Sequence, residues 1–208
     1  MLNKSRLENL SDGVFAIVLT LLVFNIQIPA ITGSLTNAAF LTVLSELVPV
    51  LIQFLISFIV LTLFWLGHNF FYSAFVLDIN RPLVLLNLLY LGLISLIPFS
   101  AHVLGTYLHI PFAVMLFGIN VLLIGLLNIY ILHYALASHE IDTEHIEPRL
   151  IKQASIRQYI TAGSTAFGII IAYFSITFAL VFYTLPVLFN IIPGSLDRLE
   201  KLFGFRLD

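Results

Sequence analysis

Arg6–Pro29, with the sequence RLENLSDGVFAIVLTLLVFNIQIP, is the stretch that decides the fold. It begins with ionisable residues, continues as an apolar run and turns polar again shortly before its final proline. At about 1.5 Å of rise per residue, a helix over Asp12–Ile28 is roughly 25 Å long, which is enough for one crossing of a bilayer. Ser11 or Asp12 is predicted to cap the N-terminus of this helix, and Pro29 to end it.

One face of this helix carries Ile17, Thr20, Leu21 and Phe24, which follow each other at positions i, i+3, i+4 and i+7. Two interpretations are open. In the first, the face makes ordinary packing contacts and the threonine hydroxyl bonds to its own helix. In the second, four copies of the face surround a pore, with apolar rings on both sides of a hydroxyl ring. Such rings gate by dewetting and select by how well they replace the hydration of an ion.

The composition identifies a membrane protein. Of 208 residues, 60% are hydrophobic and only 10% are charged, and the mean hydropathy is +1.07. Soluble globular domains carry about 25% charged residues, so this class is excluded. There is no cysteine and no basic run of the kind that binds nucleic acid. Because no small-residue cleavage site follows the first apolar run, we expect that run to be retained and not removed as a signal peptide.

The hydropathy pattern predicts a single all-α domain over residues 1–208 with six membrane spans. All nine basic residues fall on one side of the membrane if there are six spans, whereas five spans would move the last three to the other side. The positive-inside rule therefore predicts a multi-pass protein of the plasma membrane with both termini in the cytoplasm. The predicted spans cover about 8–29, 47–75, 83–104, 112–137, 159–174 and 178–192.

Several local features follow from the same pattern. Pro98 is predicted to kink the third span. An interfacial helical turn is expected over Thr36–Leu44, and a short amphipathic helix over Leu196–Asp208. The charged segment Ser138–Gln158 is predicted to lie outside the membrane.

The pattern Arg6-x-x-x-Leu10-Ser11-Asp12 resembles the R-x-x-x-F-S-D signature of the transmembrane protein 175 family of potassium channels. The following AIVLTLLVFNIQIP resembles the first transmembrane helix of that family. The match departs at Leu10, where the family usually has phenylalanine, so an aromatic contact there is not expected.

The resemblance implies a homotetramer of six-span subunits whose first helices line a central pore for K⁺. It also implies that the face starting at Ile17 holds the filter. Because the sequence does not fix the rotation of the helix, Val18 and Leu22 are alternative members of that face.

Polar residues near the start of the first helix suggest a structural or gating network. Arg6, Ser11 and Asp12 are expected to meet His68 and Asn69 at the inner end of the second span, with the arginine paired to Asp12 or to the two span-two residues. Since a buried arginine is costly without partners, such a network would fix the angle of the helix. A solvated and capped helix start is the simpler alternative.

No catalytic or metal-binding motif is present. The sequence lacks a phosphate-binding glycine loop, H-E-x-x-H and G-x-S-x-G, and its histidines lack the spacing of metal ligands. It also lacks the T-V-G-Y-G loop of carbonyl-cage potassium filters. From the family resemblance, which alone implies the ion and the tetramer, we expect a potassium-selective leak channel that is not an enzyme, needs no cofactor and interacts with K⁺ and other monovalent cations, the lipid bilayer and copies of itself. A small secondary transporter and a non-conducting membrane assembly protein are the alternatives.

Overall fold

The computed structural model describes residues 3–30, 36–141, 146–192, 195 and 198, and every regular element in this part of the chain is helical. The all-α prediction is therefore confirmed. A 3-10 turn over Leu22–Asn25 continues the first helix. The α-helices are α1 (Lys4–Leu21), α2 (Asn37–Glu46), α3 (Val48–Phe75), α4 (Arg81–Ser95), α5 (Ile97–Thr106), α6 (Pro111–Ala137), α7 (Pro148–Ala172) and α8 (Ile176–Ile191).

Within the described part of the chain, four segments are long and apolar enough to cross a membrane, judged by length and composition. They are Lys4–Asn25, Val48–Phe75, Arg81–Thr106 and Pro111–Ala137, and they correspond to the first four predicted spans. A shorter apolar stretch, Ile176–Val187, lies within α8. The last two predicted spans fall on α7 and α8.

Helix α1 begins earlier than the sequence suggested. Asn3 is its N-cap, and the Asn3 Oδ1 accepts a hydrogen bond from the backbone N–H of Ser5 at 2.9 Å. The predicted cap at Ser11 or Asp12 is therefore wrong, because both residues lie inside the helix. The helical conformation ends at Asn25, before the proline that was expected to stop it.

Pro98 divides the third span, as predicted. Helix α4 ends at Ser95 and α5 begins at Ile97, so that the proline occupies the first turn of α5, where its missing N–H costs least. The carbonyl oxygen of Pro98 accepts a hydrogen bond from the Asn25 Nδ2 at 3.2 Å. The break therefore supplies a polar anchor for the end of the first helix.

Helix α2 confirms the predicted turn near Thr36 and extends it to ten residues, with the Thr36 Oγ1 accepting from the backbone N–H of Ala39. Helix α7 starts at Pro148, within the segment that was predicted to lie outside the membrane, and continues to Ala172 in the predicted fifth span. Charge sets where a segment meets water, and it does not prevent helix formation. Most of the predicted C-terminal helix lies outside the described residues.

The core of the subunit lies between the helices and combines aliphatic and aromatic side chains. Helix α1 packs on α3 and α4, while α6, α7 and α8 pack on one another. Tyr183 of α8 is buried, and its hydroxyl donates to the carbonyl oxygen of Val114 in α6 at 3.2 Å. Gly118 and Gly168 make room for this ring, since a Cβ atom at either position would overlap it.

Candidate functional site on helix α1

Helix α1 has two unlike faces. Its buried residues are Leu7, Ser11, Phe15 and Val18, and Leu22 in the following turn is also buried. Val18 and Leu22 are 3% and 0% exposed, so they pack inside the subunit and are excluded as pore-face alternatives.

The four predicted filter residues lie on the other face. The exposed fractions are 60% for Ile17, 42% for Leu21 and 71% for Phe24, and Thr20 is exposed as well. The predicted face therefore lies outside the buried core of its own subunit. This exposure fits a surface that is covered by lipid or by another subunit.

The hydroxyl of Thr20 bonds to its own helix. Its Oγ1 lies 3.1 Å from the carbonyl oxygen of Ala16 and 2.8 Å from that of Ile17. Because the hydroxyl is the donor in both contacts, the oxygen keeps its lone pairs as acceptors. Intrahelical bonding and an acceptor role toward a cation are therefore compatible.

A buried chain of hydrogen bonds joins α1, α4 and α3. We call Ser11, Asn87 and His68 the polar latch. The Ser11 Oγ donates to the carbonyl oxygen of Leu7 at 2.9 Å and accepts from the Asn87 Nδ2 at 3.1 Å. The Asn87 Oδ1 lies 2.8 Å from the His68 Nε2, and since an amide oxygen only accepts, this contact places the imidazole proton on Nε2.

Aromatic rings enclose the imidazole of the polar latch. The ring centroid of His68 is 4.6 Å from that of Tyr72, 5.5 Å from that of Tyr90 and 5.7 Å from that of Phe15. His68 is 6% exposed, and both Ser11 and Asn87 are fully buried. Ser11, Asn87 and His68 therefore form one buried hydrogen-bond chain between α1, α4 and α3.

Near the surface of the subunit, a second contact joins the N-terminal half of α1 to α3. The Trp65 Nε1 donates to the Asp12 Oδ1 at 2.9 Å, which ties α3 to α1. Arg6 is exposed and forms no ion pair with the described residues of the subunit, so its predicted pairing with Asp12, His68 or Asn69 is wrong. The reason is that Arg6 and Asp12 are six positions apart in one helix, whereas side chains meet at spacings of three or four.

The sequence predicted part of this network and missed the rest. Ser11, Asp12 and His68 take part, whereas Asn69 is exposed on α3 and stays outside the polar latch. Asn87 is its central residue and was not predicted, although a lone amide inside an apolar span is a signal for a buried polar contact. Leu10, where the signature departs, is 48% exposed, so a larger side chain there would face away from the core.

An open cavity of about 650 Å³ lies at the opposite end of α1. Its polar lining includes Asn25 and Gln27 after α1, Glu46 at the end of α2, and His102 and His109 near α5. Among the described residues, no group of three His, Asp or Glu side chains is placed to hold a metal ion.

Three comparisons with known proteins bear on this geometry. The family model described as "Endosomal/lysosomal potassium channel TMEM175" matches residues 6–98, which contain most of α1 and the whole polar latch. A potassium channel of Chryseobacterium sp. is 27% identical over 200 residues, covering 96% of this chain and 97% of that protein. A potassium channel of Streptomyces collinus is 34% identical over 111 residues, covering 52% of this chain and 51% of that protein.

A more distant relative is the endosomal/lysosomal proton channel TMEM175 of Gallus gallus, which is 35% identical over 104 residues, or 48% of this chain and 21% of that protein. The crystal structure of a lysosomal potassium-selective channel TMEM175 homolog from Chamaesiphon minutus shares the fold. Its TM-score is 0.76 at 22% identity, and the match covers 90% of this chain and 96% of that chain. A family model over residues 6–98 and a shared fold over 90% of its length show that the protein is similar to the TMEM175 family.

Proposed function

We propose that this protein is a potassium-selective leak channel in which four copies of α1 surround a central pore. The bacterial relatives named above are potassium channels, and one of them matches the chain over nearly its whole length. The observation that carries the proposal is the division of α1 into a buried face and an exposed face. The exposed face carries the residues that the family resemblance assigns to the filter.

The exposed face of α1 carries side chains that suit a narrow, ion-selective pore. Around a fourfold axis, Ile17, Leu21 and Phe24 would form apolar rings, which exclude water when the passage is narrow. Thr20 would add four hydroxyl oxygens, each with lone pairs left free by the intrahelical bonds described above. These oxygens replace only part of a hydration shell, so the more strongly hydrated Na⁺ is penalised more than K⁺. A tenfold preference for K⁺ over Na⁺ corresponds to a free-energy difference of only about 1.4 kcal/mol.

The polar latch supports the same proposal by fixing the rotation of α1. If the helix turned by one residue position, Val18 and Leu22 would leave the core and the face at Ile17 would enter it. The buried hydrogen bonds of Ser11 would be broken by that turn. We therefore assign a positioning role to Ser11, Asn87 and His68, supported near the surface by the contact between Asp12 and Trp65.

The proposed topology has six spans with both termini in the cytoplasm of the cell that carries the channel. Helices α7 and α8 would be the fifth and sixth spans. They are joined by a tight turn in which the backbone N–H groups of Phe174 and Ser175 both bond to the carbonyl oxygen of Ile171. So short a connection makes the two helices antiparallel neighbours.

Flux measurements on reconstituted protein test the proposal. Purified protein in liposomes under a K⁺ gradient should carry a current that follows the membrane potential and needs no second substrate. Saturable flux that depends on a co-substrate would identify a transporter, and absence of flux a non-conducting assembly protein. Crosslinking in the same liposomes should give a tetramer.

A threonine substitution with a matched control tests the filter. Thr20→Val removes the hydroxyl and keeps the shape, and we expect the permeability ratio of K⁺ to Na⁺ to fall about fivefold, for a loss of roughly 1 kcal/mol. Thr62→Val on α3 is the control, since the Thr62 hydroxyl bonds to the carbonyl oxygen of Phe58 in the same intrahelical manner. Equal ratios in both variants would remove Thr20 from the filter.

A further inference from the structure

The first helix changes its form near its second end. Helix α1 is α-helical to Leu21, and Leu22–Asn25 then form one 3-10 turn, which we call the terminal turn. In a 3-10 helix, side chains three positions apart lie directly above one another, whereas an α-helix offsets them by about 60°. Phe24 is three positions after Leu21, and both are exposed, so the terminal turn places these two side chains in line.

The terminal turn needs support from other helices to keep this form. The hydrogen bonds of a 3-10 helix have poorer geometry than those of an α-helix, so only short runs are common. Leu22 supplies part of the support, because its side chain is fully buried and the turn packs on α3 and α5. Apolar packing is non-directional, so a directional contact is needed to set how far the turn is wound.

Asn25 makes a directional contact at the last position of the terminal turn. Its Nδ2 donates to the carbonyl oxygen of Pro98 at 3.2 Å, and its side chain is half-buried. Pro98 lies in the first turn of α5, directly after the break between α4 and α5. Because a carbonyl oxygen has two lone pairs, it can accept this bond in addition to one from its own helix. The amide therefore connects the residue next to Phe24 to the break in the third span.

This contact and the polar latch act on different parts of the first helix. Ser11 precedes Leu21 by about 15 Å of α-helix at 1.5 Å per residue. The polar latch joins the α-helical part to α3 and α4, whereas Asn25 joins the terminal turn to α5. A change in the winding of the terminal turn can therefore occur without breaking a bond of the polar latch.

We propose that Asn25 is a positioning residue for the apolar ring that Phe24 would form in the pore. Its bond to the Pro98 carbonyl keeps the terminal turn in the 3-10 form and so keeps Phe24 in line with Leu21. Without this bond, the turn relaxes toward the α-helical form, and Phe24 moves around the helix axis by up to about 60°. This inference rests on the proposed function, since Phe24 lines a pore only if four copies of α1 surround it.

Single-channel recording of the reconstituted full-length protein tests this role. Asn25→Leu removes the amide donor at nearly constant size. We expect it to raise the single-channel conductance about twofold, because an apolar ring that moves off the axis leaves a wider and better hydrated passage. Asn120→Leu is the matched control, since the Asn120 Nδ2 also donates to α5, at 3.0 Å to the Ser100 Oγ, but is not part of the terminal turn. This control should leave the conductance unchanged.

Spin labels report the conformation of the terminal turn directly. The chain has no cysteine, so single cysteines can be placed at two exposed positions, Val23 in the terminal turn and Leu10 near the polar latch. In Asn25→Leu, the distances between labels on different subunits should change at Val23 and stay constant at Leu10. Asn25→Gln keeps the amide donor on a longer side chain, so it should lie between the wild type and Asn25→Leu in both measurements.

The outcomes separate this inference from the proposed function. If the wild type conducts K⁺ but Asn25→Leu has unchanged conductance and unchanged label distances at Val23, the positioning role alone is overturned. A wild-type protein that does not conduct K⁺ would overturn both. If Asn120→Leu alters conductance as much as Asn25→Leu does, the effect comes from general destabilisation, and the positioning role is again overturned.

Discussion

The coupling between Ser11 and Asn87 is the most direct test of the polar latch. Ser11→Ala barely changes volume but leaves the fully buried Asn87 Nδ2 without an acceptor. A buried polar group in that state costs about 1–3 kcal/mol of the free energy of unfolding. Asn87→Leu removes the same hydrogen bond from the other side and also takes the acceptor away from His68.

The double variant should cost less than the sum of the single variants. Once Asn87 is leucine, Ser11→Ala leaves no donor unpaired, because the serine hydroxyl otherwise bonds within its own helix. The expected coupling free energy is therefore about 1–3 kcal/mol, which is well above the roughly 0.5 kcal/mol within which independent sites add. Equilibrium unfolding in mixed micelles, with increasing sodium dodecyl sulfate and circular dichroism as the readout, measures all four proteins.

A matched cycle supplies the control. Asn120 on α6 donates to the Ser100 Oγ on α5 at 3.0 Å, and this buried pair shares no partner with the polar latch. Ser11→Ala combined with Asn120→Leu should therefore be additive. If Ser11→Ala and Asn87→Leu are equally additive, the contact at 3.1 Å contributes nothing and our account of how α1 is held is refuted.

Further substitutions test other parts of the structure. Ile17→Asn should wet the proposed constriction and raise single-channel conductance, so unchanged current would place this side chain outside the pore. Gly118→Ala should lower the free energy of unfolding by about 1–3 kcal/mol, because the new methyl group overlaps the ring of Tyr183. Gly163→Ala, which meets no atom within 4 Å, should be neutral or stabilising by up to about 1 kcal/mol. Asn25→Leu should lower the free energy of unfolding by about 1 kcal/mol, because it removes the bond to the carbonyl at the proline break.

The sequence predicted that Ile17, Thr20, Leu21 and Phe24 share one face of α1, because spacing along a helix determines which side chains lie together. The break at Pro98 was also predicted, because a proline disrupts a helix close to its own position. The role of Asn87 was not predicted. Its partners lie 76 residues away at Ser11 and 19 residues away at His68, and no sequence period links them. The start of α7 was missed for a different reason, namely that charged residues indicate contact with water and say little about helicity.

The unequal sides of α1 have a consequence for how such a protein can evolve. Ile17, Thr20, Leu21 and Phe24 lie outside the buried core of the monomer, so substitutions there should disturb its packing less than substitutions in the core. If these residues line the pore, as we propose, ion preference and conductance can drift, or be engineered, at little risk to folding of the single chain. Phe15 and Val18, on the buried face of the same helix, have no such freedom.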